Sequence, residues 1–261
     1  MHTQTQALIL AAGRGSRLGE ITRGGPKCML DVGGRPLIEH QVEALRDAGV
    51  SRICVVLGHG ARHIVNALGD GCDYVYNERY ADTNSLYSCW LARTEIEGPF
   101  VLVNADVLAH PIIYHRLSAA RGDAIAYDSS SGHQDEHMKV VLDDGRLCAI
   151  GKRLPAEDAH GESLGLLRFS EEGAVRLFEH ANALVSRGSV NDWAPAAVHE
   201  MARAIPIRGI DVCGMPWAEI DFPEDLDHAR HYTWPLICAN QGSRLFRIDR
   251  DGELASSVGW S

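Results

Sequence analysis

Residues 6–58 read as strand, helix, strand, and few folds accept that order with these patterns. "QALILAAG" is an unbroken apolar run of strand length that ends in glycine. "PLIEHQVEALRDAG" places its apolar residues at helical spacing and closes on Gly49. "SRICVVLG" is a second apolar run of strand length. Two buried strands joined through a helix pair in parallel. The alternation then continues with a helix in "GARHIVNALG", a strand in "CDYVYN", a helix in "SLYSCWLAR" and a strand in "PFVLVNAD". Such repetition predicts a doubly wound α/β sheet rather than an α+β fold.

The second half changes rhythm. "MKVVLDDGRLCAIG" reads as two strands around Asp144-Gly145, a hairpin signal. "SLGLLRFS", "AIPIRGIDV" and "WAEI" read as strands. "EEGAVRLFEHANALVSRG", "NDWAPAAVHEMAR" and "PEDLDHARHY" read as helices, the last with Pro223 in its first turn. The stretch from Trp234 onward breaks the pattern and is expected to be a tail of uncertain structure over 234–261. With 261 residues, 45% of them hydrophobic, the chain can bury one sizeable core. Its apolar runs fall far short of the roughly 20 residues that span a bilayer, and "MHTQTQ" has no signal-peptide character. The seven cysteines form no C-x-x-C pair, so no zinc site or disulfide framework is expected. Cys54, Cys72, Cys89 and Cys148 read as small core residues. A cytoplasmic location follows from these features. The formal net charge of −10 disfavours a nucleic-acid surface, which needs a basic stripe. It leaves room for a small phosphorylated ligand, which needs only local cations. The thirteen histidines show no convincing ligand spacing and read as surface residues.

Those cations gather in one early turn. Gly13 and Gly15 follow the first strand directly, where glycine lets backbone N–H groups approach phosphate oxygens. Arg14, Arg17 and then Lys27 lie within the same segment. The dinucleotide fingerprint fails, because Leu18 stands at its third glycine position. A Walker loop fails because no Gly-Lys-Ser/Thr occurs. What remains is a polyphosphate-binding turn that carries its own arginine forks. A tight surface turn with solvated arginines is the plainer reading of the same residues.

"LAAGRGSRL", followed by "PKCML" and "GGRPLIEHQVEAL", resembles the signature of the nucleotidyltransferase superfamily that makes NDP-sugars and related activated metabolites. "NERYADTNSLYSCWLAR", and "EHMKV" followed by "IGK", resemble a narrower group, the bacterial phosphocholine cytidylyltransferases and their phosphonate- and inositol-phosphate-using relatives. "AEIDFPEDLDHAR" resembles the superfamily's closing metal motif. The resemblance covers residues 6–232. It implies a Rossmann-like three-layer α/β/α fold with a mostly parallel mixed sheet and a small inserted acceptor-binding lobe. Residues 1–233 would form a single domain, nucleotide-binding over about 1–108 and acceptor-binding over about 109–233.

The implied reaction is attack by a phosphate or phosphonate oxygen on the α-phosphorus of a nucleoside triphosphate, CTP in the narrower group, with release of pyrophosphate. Gly13, Arg14, Gly15, Ser16 and Arg17 would hold the triphosphate. Leu10, Ala11, Ala12, Asn84, Ser85 and Ala105 would surround the nucleotide, although Ser85 also reads as a helix cap. Arg17, Lys27 and Lys139 would carry catalysis, with Lys139 on the acceptor's phosphate. Asp106 and Asp221, each at the end of an apolar strand, would hold Mg²⁺. Asp221 also reads as a cap for the helix near Pro223. Tyr127, Asp128, Lys139, Lys152, Glu162, Asp192, Trp193 and Trp217 are the acceptor candidates, an aromatic and acidic set that suits a cationic head group such as choline. Trp217 reads equally as core. The resemblance leaves room for a homodimer and gives no role to nucleic acid or membrane. A hexose-1-phosphate nucleotidyltransferase using UTP, dTTP or GTP is the rival reading. A catalytically silent nucleotide-binding regulatory module is the third.

Overall fold

In the computed structural model, which describes residues 5–131 and 134–241, the opening unit forms as read. Strand β1 (Gln6–Ala11) is buried along its whole length. It leads through a short antiparallel pair, β2 (Asp31–Val32) and β3 (Arg35–Pro36), into helix α1 (Leu37–Asp47). β4 (Arg52–Leu57) then pairs in parallel with β1, in the register Gln6↔Arg52. Helix α2 (Ala61–Leu68), β5 (Asp73–Tyr76), helix α3 (Ser85–Leu91) and β6 (Phe100–Asn104) complete a four-stranded parallel set.

β1 explains why this half is layered. Ala7, Ile9 and Ala11 face one core with Ile38 and Leu45 of α1, while Leu8 and Leu10 face another with Leu86 and Cys89 of α3. Period-two alternation with both sets apolar is what a strand covered on both faces requires.

The second half joins the same sheet differently. β8 (Asp123–Asp128), β9 (Lys139–Asp143), β10 (Arg146–Gly151), β11 (Gly161–Phe169) and β12 (Ile207–Asp211) extend it to nine strands in the order β5-β4-β1-β6-β11-β8-β12-β10-β9. β11 runs antiparallel to β6 and β8, and β12 parallel to β8. β9 also meets β11, pairing Lys139 with Glu162, so this half curls back on itself. The β9–β10 turn is the expected Asp144-Gly145, both with positive φ. Helices α5 (Glu171–Ser186) and α6 (Pro195–Ala202) cover the α3 face of the sheet.

Two stretches go beyond the sequence reading. Residues 107–128 hold β7 (Val107–Ala109), α4 (Pro111–Ala119) and β8. Helix α4 buries Ile113, Tyr114, Arg116 and Leu117, so a charged residue interrupts the apolar stripe on its buried face. At the other end, α7 (Pro223–His228) continues through a π turn over Ala229–Thr233 into α8 (Trp234–Gln241). Leu226, Ala229 and Ile237 of this segment enter a third core cluster with Leu18 and Leu30. The Trp234 indole lies so close to Gly33 that a Cβ there would come within 2.0 Å of it. Residues 242–261, most of the expected tail, lie outside the described residues. Among the described residues no helix is long and apolar enough to cross a membrane.

One cysteine reading is corrected. Cys28, Cys54, Cys72 and Cys89 are buried, but Cys148 is exposed. It is the extra residue of a bulge in β10, between Leu147 opposite Leu142 and Ala149 opposite Val141, and a bulge leaves its residue out of the ladder.

Candidate active site

The parallel strands end at one edge, and a cleft of about 320 Å³ opens there. The turn after β1 forms its floor. Gly15 adopts φ +63°, and a Cβ on it would come within 2.9 Å of the Lys27 Cβ, so glycine is what lets the two segments meet. Leu10, Ala11, Ala12, Gly13, Gly15, Ser16 and Arg17 all line the cleft, as do Asn84, Ser85 and Ala105. Arg14 is not among the lining residues. Its guanidinium rests 5.6 Å over the ring of Tyr80, which itself forms part of the wall.

The acids meet because two short strands bring their ends together. β7 follows Asp106 directly, and β13 (Trp217–Glu219) pairs antiparallel with it. The Ile220 N–H then donates to the Asp106 carbonyl at 3.0 Å, which seats Asp221 beside Asp106. Asp221 does not cap α7. Asp225 does, accepting from the N–H groups of Asp221 and Phe222 at 2.9 and 2.7 Å. This leaves the Asp221 carboxylate free to face the cleft.

Lys27 closes the group. Its Nζ lies 2.9 Å from Asp106 Oδ2 and donates to Asp221 Oδ1. Burial alone would lower the Lys27 pKa, but Asp106 and Asp221 outweigh it and hold the ammonium well above the ordinary lysine range. Burial likewise pulls the Asp221 carboxyl up, and Lys27 and Arg17 overcome it, leaving that group below the usual range. Arg17 Nη1 reaches Asp221 Oδ2 at 3.2 Å, and its guanidinium lies 5.2 Å over the Phe222 ring.

A third carboxylate, absent from the sequence reading, completes the cluster. Glu219 lines the cleft, and one oxygen each from Asp106, Glu219 and Asp221 lie within 4.8 Å of one another. The Asp106 Oδ1 is buried without a hydrogen-bond partner. A hard oxygen donor set of this kind suits Mg²⁺, so the residues present fit that ion. Burial first, then the charges of Asp106 and Asp221, push the Glu219 carboxyl up to about 8. The unfolded chain loses that proton near the ordinary glutamate value of ~4.3. Between the two values only the folded state binds the extra proton. Stability from this group is therefore full below ~4.3 and lost as pH rises toward 8. Metal-free Glu219→Gln, which cannot ionise, is expected to melt about 4 °C above the parent at pH 8 and nearly level with it at pH 5. Thermal scans in EDTA check this, and equal offsets at both pH values would contradict it.

The acceptor candidates divide. Lys152 and Trp193 line the cleft, with Lys152 Nζ 5.5 Å from the Trp193 ring centroid. The others do not line it. Lys139 is only 2% exposed, and its Nζ donates to the Lys152 carbonyl at 2.6 Å. The curl of β9 onto β11 turns that side chain inward, so in this structure it does not reach the cleft. Glu162 is buried, accepts from Ser131 Oγ at 2.5 Å and pairs with His137 at 3.3 Å. Burial raises its pKa. Trp217 donates through Nε1 to Asp128 at 2.8 Å. Tyr127 packs beside Gly161 and Gly209. Asp192 is exposed and gives its backbone carbonyl to the N–H of Leu86. Ser85 is not a cap either. Asn84 caps α3, accepting from Ser85 N, and Ser85 Oγ accepts from Ala194 N at 2.9 Å.

Asn77 also went unread. It is 1% exposed and lies at the end of β5, with its Nδ2 donating to Thr83 Oγ1 and Ser88 Oγ at 3.1 Å each. This knot holds the start of α3 against the cleft. Cys28 lines the cleft as well, but burial pushes its thiol up to about 12, so it offers no thiolate nucleophile.

The arrangement pairs cations with a carboxylate cluster beside a glycine turn, the requirements for holding a metal-bound polyphosphate. Known proteins agree with that reading of the fold. The bifunctional IPC transferase and DIPP synthase of Aquifex aeolicus is 28% identical over 230 residues, 87% of this chain and 51% of that protein. The chain spans about half the length of the bifunctional curated relatives it matches. The 2-aminoethylphosphonate cytidylyltransferase of Lancefieldella rimae is 31% identical over 179 residues, 67% of this chain and 70% of that protein. The solved structure of the CTP:phosphocholine cytidylyltransferase of Streptococcus pneumoniae superposes with a TM-score of 0.74 at 23% identity, over 87% of this chain and 98% of that one. The family model for the MobA-like NTP transferase domain matches residues 7–182, from β1 into α5, and the chain belongs to that family.

Proposed function

We propose that this chain is a Mg²⁺-dependent cytidylyltransferase that moves CMP from CTP to a small phosphate or phosphonate acceptor and releases pyrophosphate. The observation that carries the reading is the convergence of Arg17, Lys27, Asp106 and Asp221 on the glycine turn, in a cleft whose one cysteine is held as a thiol. The base preference rests on the Asn84–Ser85 segment beside Leu10–Ala12 and on relatives named as cytidylyltransferases.

In this reading an acceptor oxygen attacks the α-phosphorus, and the bond from that phosphorus to the α,β-bridging oxygen breaks. The electron pair leaves with pyrophosphate. The acceptor needs no general base, because a phosphate monoester's second pKa lies near ~6. Lys27 stays protonated and acts as a fixed charge rather than a base. Arg17 and the amides of the turn hold the triphosphate, which makes catalysis chiefly positioning and charge stabilisation. Asp106, Asp221 and Glu219 would hold Mg²⁺, which when bound draws charge from the phosphates. Lys27 and Arg17 then contact phosphate oxygens in place of the carboxylates they now pair.

Pyrophosphate release tests the reading. CTP, UTP, ATP, GTP and dTTP are each offered with phosphocholine, 2-aminoethylphosphonate, an inositol phosphate and glucose-1-phosphate. Release with CTP and a non-sugar acceptor, abolished by EDTA, is expected. Release confined to glucose-1-phosphate with UTP, dTTP or GTP would replace it with the sugar-nucleotide reading. No release in any combination from folded protein would favour the regulatory module.

A further inference from the structure

One side-chain amide ties down both ends of the turn that carries Asp106. Helix α1 buries Leu37, Ile38, Gln41, Ala44 and Leu45, so a glutamine stands in the middle of its apolar stripe. Gln41 is 1% exposed. Its Nε2 donates to the Asn104 carbonyl at 2.9 Å and to the Val107 carbonyl at 2.7 Å. Asn104 is the last residue of β6 and Val107 the first of β7, so the two bonds bracket Ala105 and Asp106.

The sheets leave both carbonyls to this amide. β6 pairs with β11 only as far as Val103 opposite Leu166, and the Asn104 carbonyl lies past the end of that ladder. On the other side, Ile220 donates to the Asp106 carbonyl, which makes Asp106 and Ile220 a hydrogen-bonded pair. Antiparallel pairs alternate in kind, so the next pair, Val107 opposite Glu219, is not hydrogen-bonded. The Val107 carbonyl therefore turns away from β13 and toward α1, where Gln41 meets it. A buried carbonyl without a partner is costly, and here one residue answers two of them. With Ile220, it fixes the carbonyls of Asn104, Asp106 and Val107 around the residue whose carboxylate joins Glu219 and Asp221.

The glutamine itself is left incomplete. Both of its N–H groups are used, while its Oε1 is buried without a hydrogen-bond partner. A buried polar atom left unsatisfied calls for a reason outside the helix's own packing. That reason is the pair of donors. We propose that Gln41 is a positioning residue for the carboxylate cluster, holding the 104–107 turn in the shape that aims Asp106 at a divalent cation. It does not line the cleft, so it acts only through that turn. The role rests on the reading of Asp106, Glu219 and Asp221 as metal ligands, and binding of the metal alone tests it.

The probe is Mn²⁺, titrated into the full chain without nucleotide and followed by loss of the free ion's electron paramagnetic resonance signal. Gln41→Met keeps the bulk of the side chain and removes both donors. It is expected to bind Mn²⁺ about tenfold more weakly than the parent, an effect of the size that partners outside the ligand set have on metal sites. Ile38→Val trims the same buried face of α1 without touching the turn's carbonyls. It is expected to lower Tm and leave Mn²⁺ affinity unchanged. Thermal scans in EDTA fix a temperature at which every variant is folded. Should Gln41→Met not fold, Gln41→Asn, with its amide one methylene short of the two carbonyls, is titrated in its place with the same expectation. Equal affinity in the parent and the Gln41 variant overturns the proposal, as does an equal weakening in Ile38→Val. If the parent does not bind Mn²⁺ at millimolar concentration, the metal reading falls and the role of Gln41 with it. If binding weakens as expected and no cytidylyl transfer is found, the transfer reading fails and the positioning role stands.

Discussion

Lys27→Met is expected to lower turnover by about 10³-fold and to make the metal-free protein less stable while making Mg²⁺ stabilise it more. Both effects follow from the same atoms. The Lys27 ammonium lies between Asp106 and Asp221 with a side chain only 14% exposed. Removing it leaves two half-buried carboxylates facing each other with Glu219 alongside. Breaking a well-buried pair costs ~3–5 kcal/mol. With the two aspartate side chains 24% and 28% exposed, about 2 kcal/mol is the more fitting figure, or ~5 °C in Tm. A divalent cation relieves the same repulsion, so added Mg²⁺ should raise the variant's Tm by more than the parent's. Turnover falls because methionine can place no charge on the phosphates. Thermal scans with EDTA and with Mg²⁺, beside steady-state rates, check both parts. A variant as stable as the parent in EDTA, with the same response to Mg²⁺, would show that Lys27 does not compensate these acids.

Asp106→Asn is expected to lower turnover by about 10³-fold with the fold retained, and to shift half-saturation by Mg²⁺ upward. Asp106 sits where β6 gives way to β7, and its carbonyl accepts from Ile220, so the backbone contact survives the substitution. What is lost is charge on an oxygen pair of which Oδ1 is buried without a partner. The matched Asp221→Asn should lose as much activity, because Asp221 also orients Arg17 at 3.2 Å. Glu219→Gln should lose less, since Glu219 already carries its proton up to about pH 8 in the metal-free protein. Magnesium titrations of rate across the three variants test this order. Equal losses at all three positions would give Glu219 the same standing as the two aspartates.

Local signals were enough for the first half of the fold and for the glycine turn that lines the cleft. β1, α1 and β4 each carry a periodicity that matches how they are buried. Gly15 had to be glycine because the Lys27 segment crosses there, and the spacing of both residues was visible. Glu219 was not legible, because it joins the cluster only through the pairing of β13 with β7, residues more than a hundred positions away. The place of Lys139 was not legible for a related reason. Strand alternation does not reveal that β9 bends onto β11 and turns that lysine beneath Lys152. Arg14 and Arg17 look equivalent in sequence, yet one lies over Tyr80 and the other faces Asp221. Helix α4 was not legible because Arg116 sits on its buried face and breaks the apolar stripe.

Identification of the product by mass, with pyrophosphate counted in the same reaction, tests the central claim most directly. The protein is incubated with CTP, Mg²⁺ and the acceptor that the pyrophosphate panel selects. A CMP–acceptor anhydride formed in equal amount to pyrophosphate is the expected result, since it requires attack at the α-phosphorus. Inorganic phosphate and CDP in its place would put the attack at the γ-phosphorus and contradict the assignment of Arg17, Lys27 and the carboxylate cluster to nucleotidyl transfer.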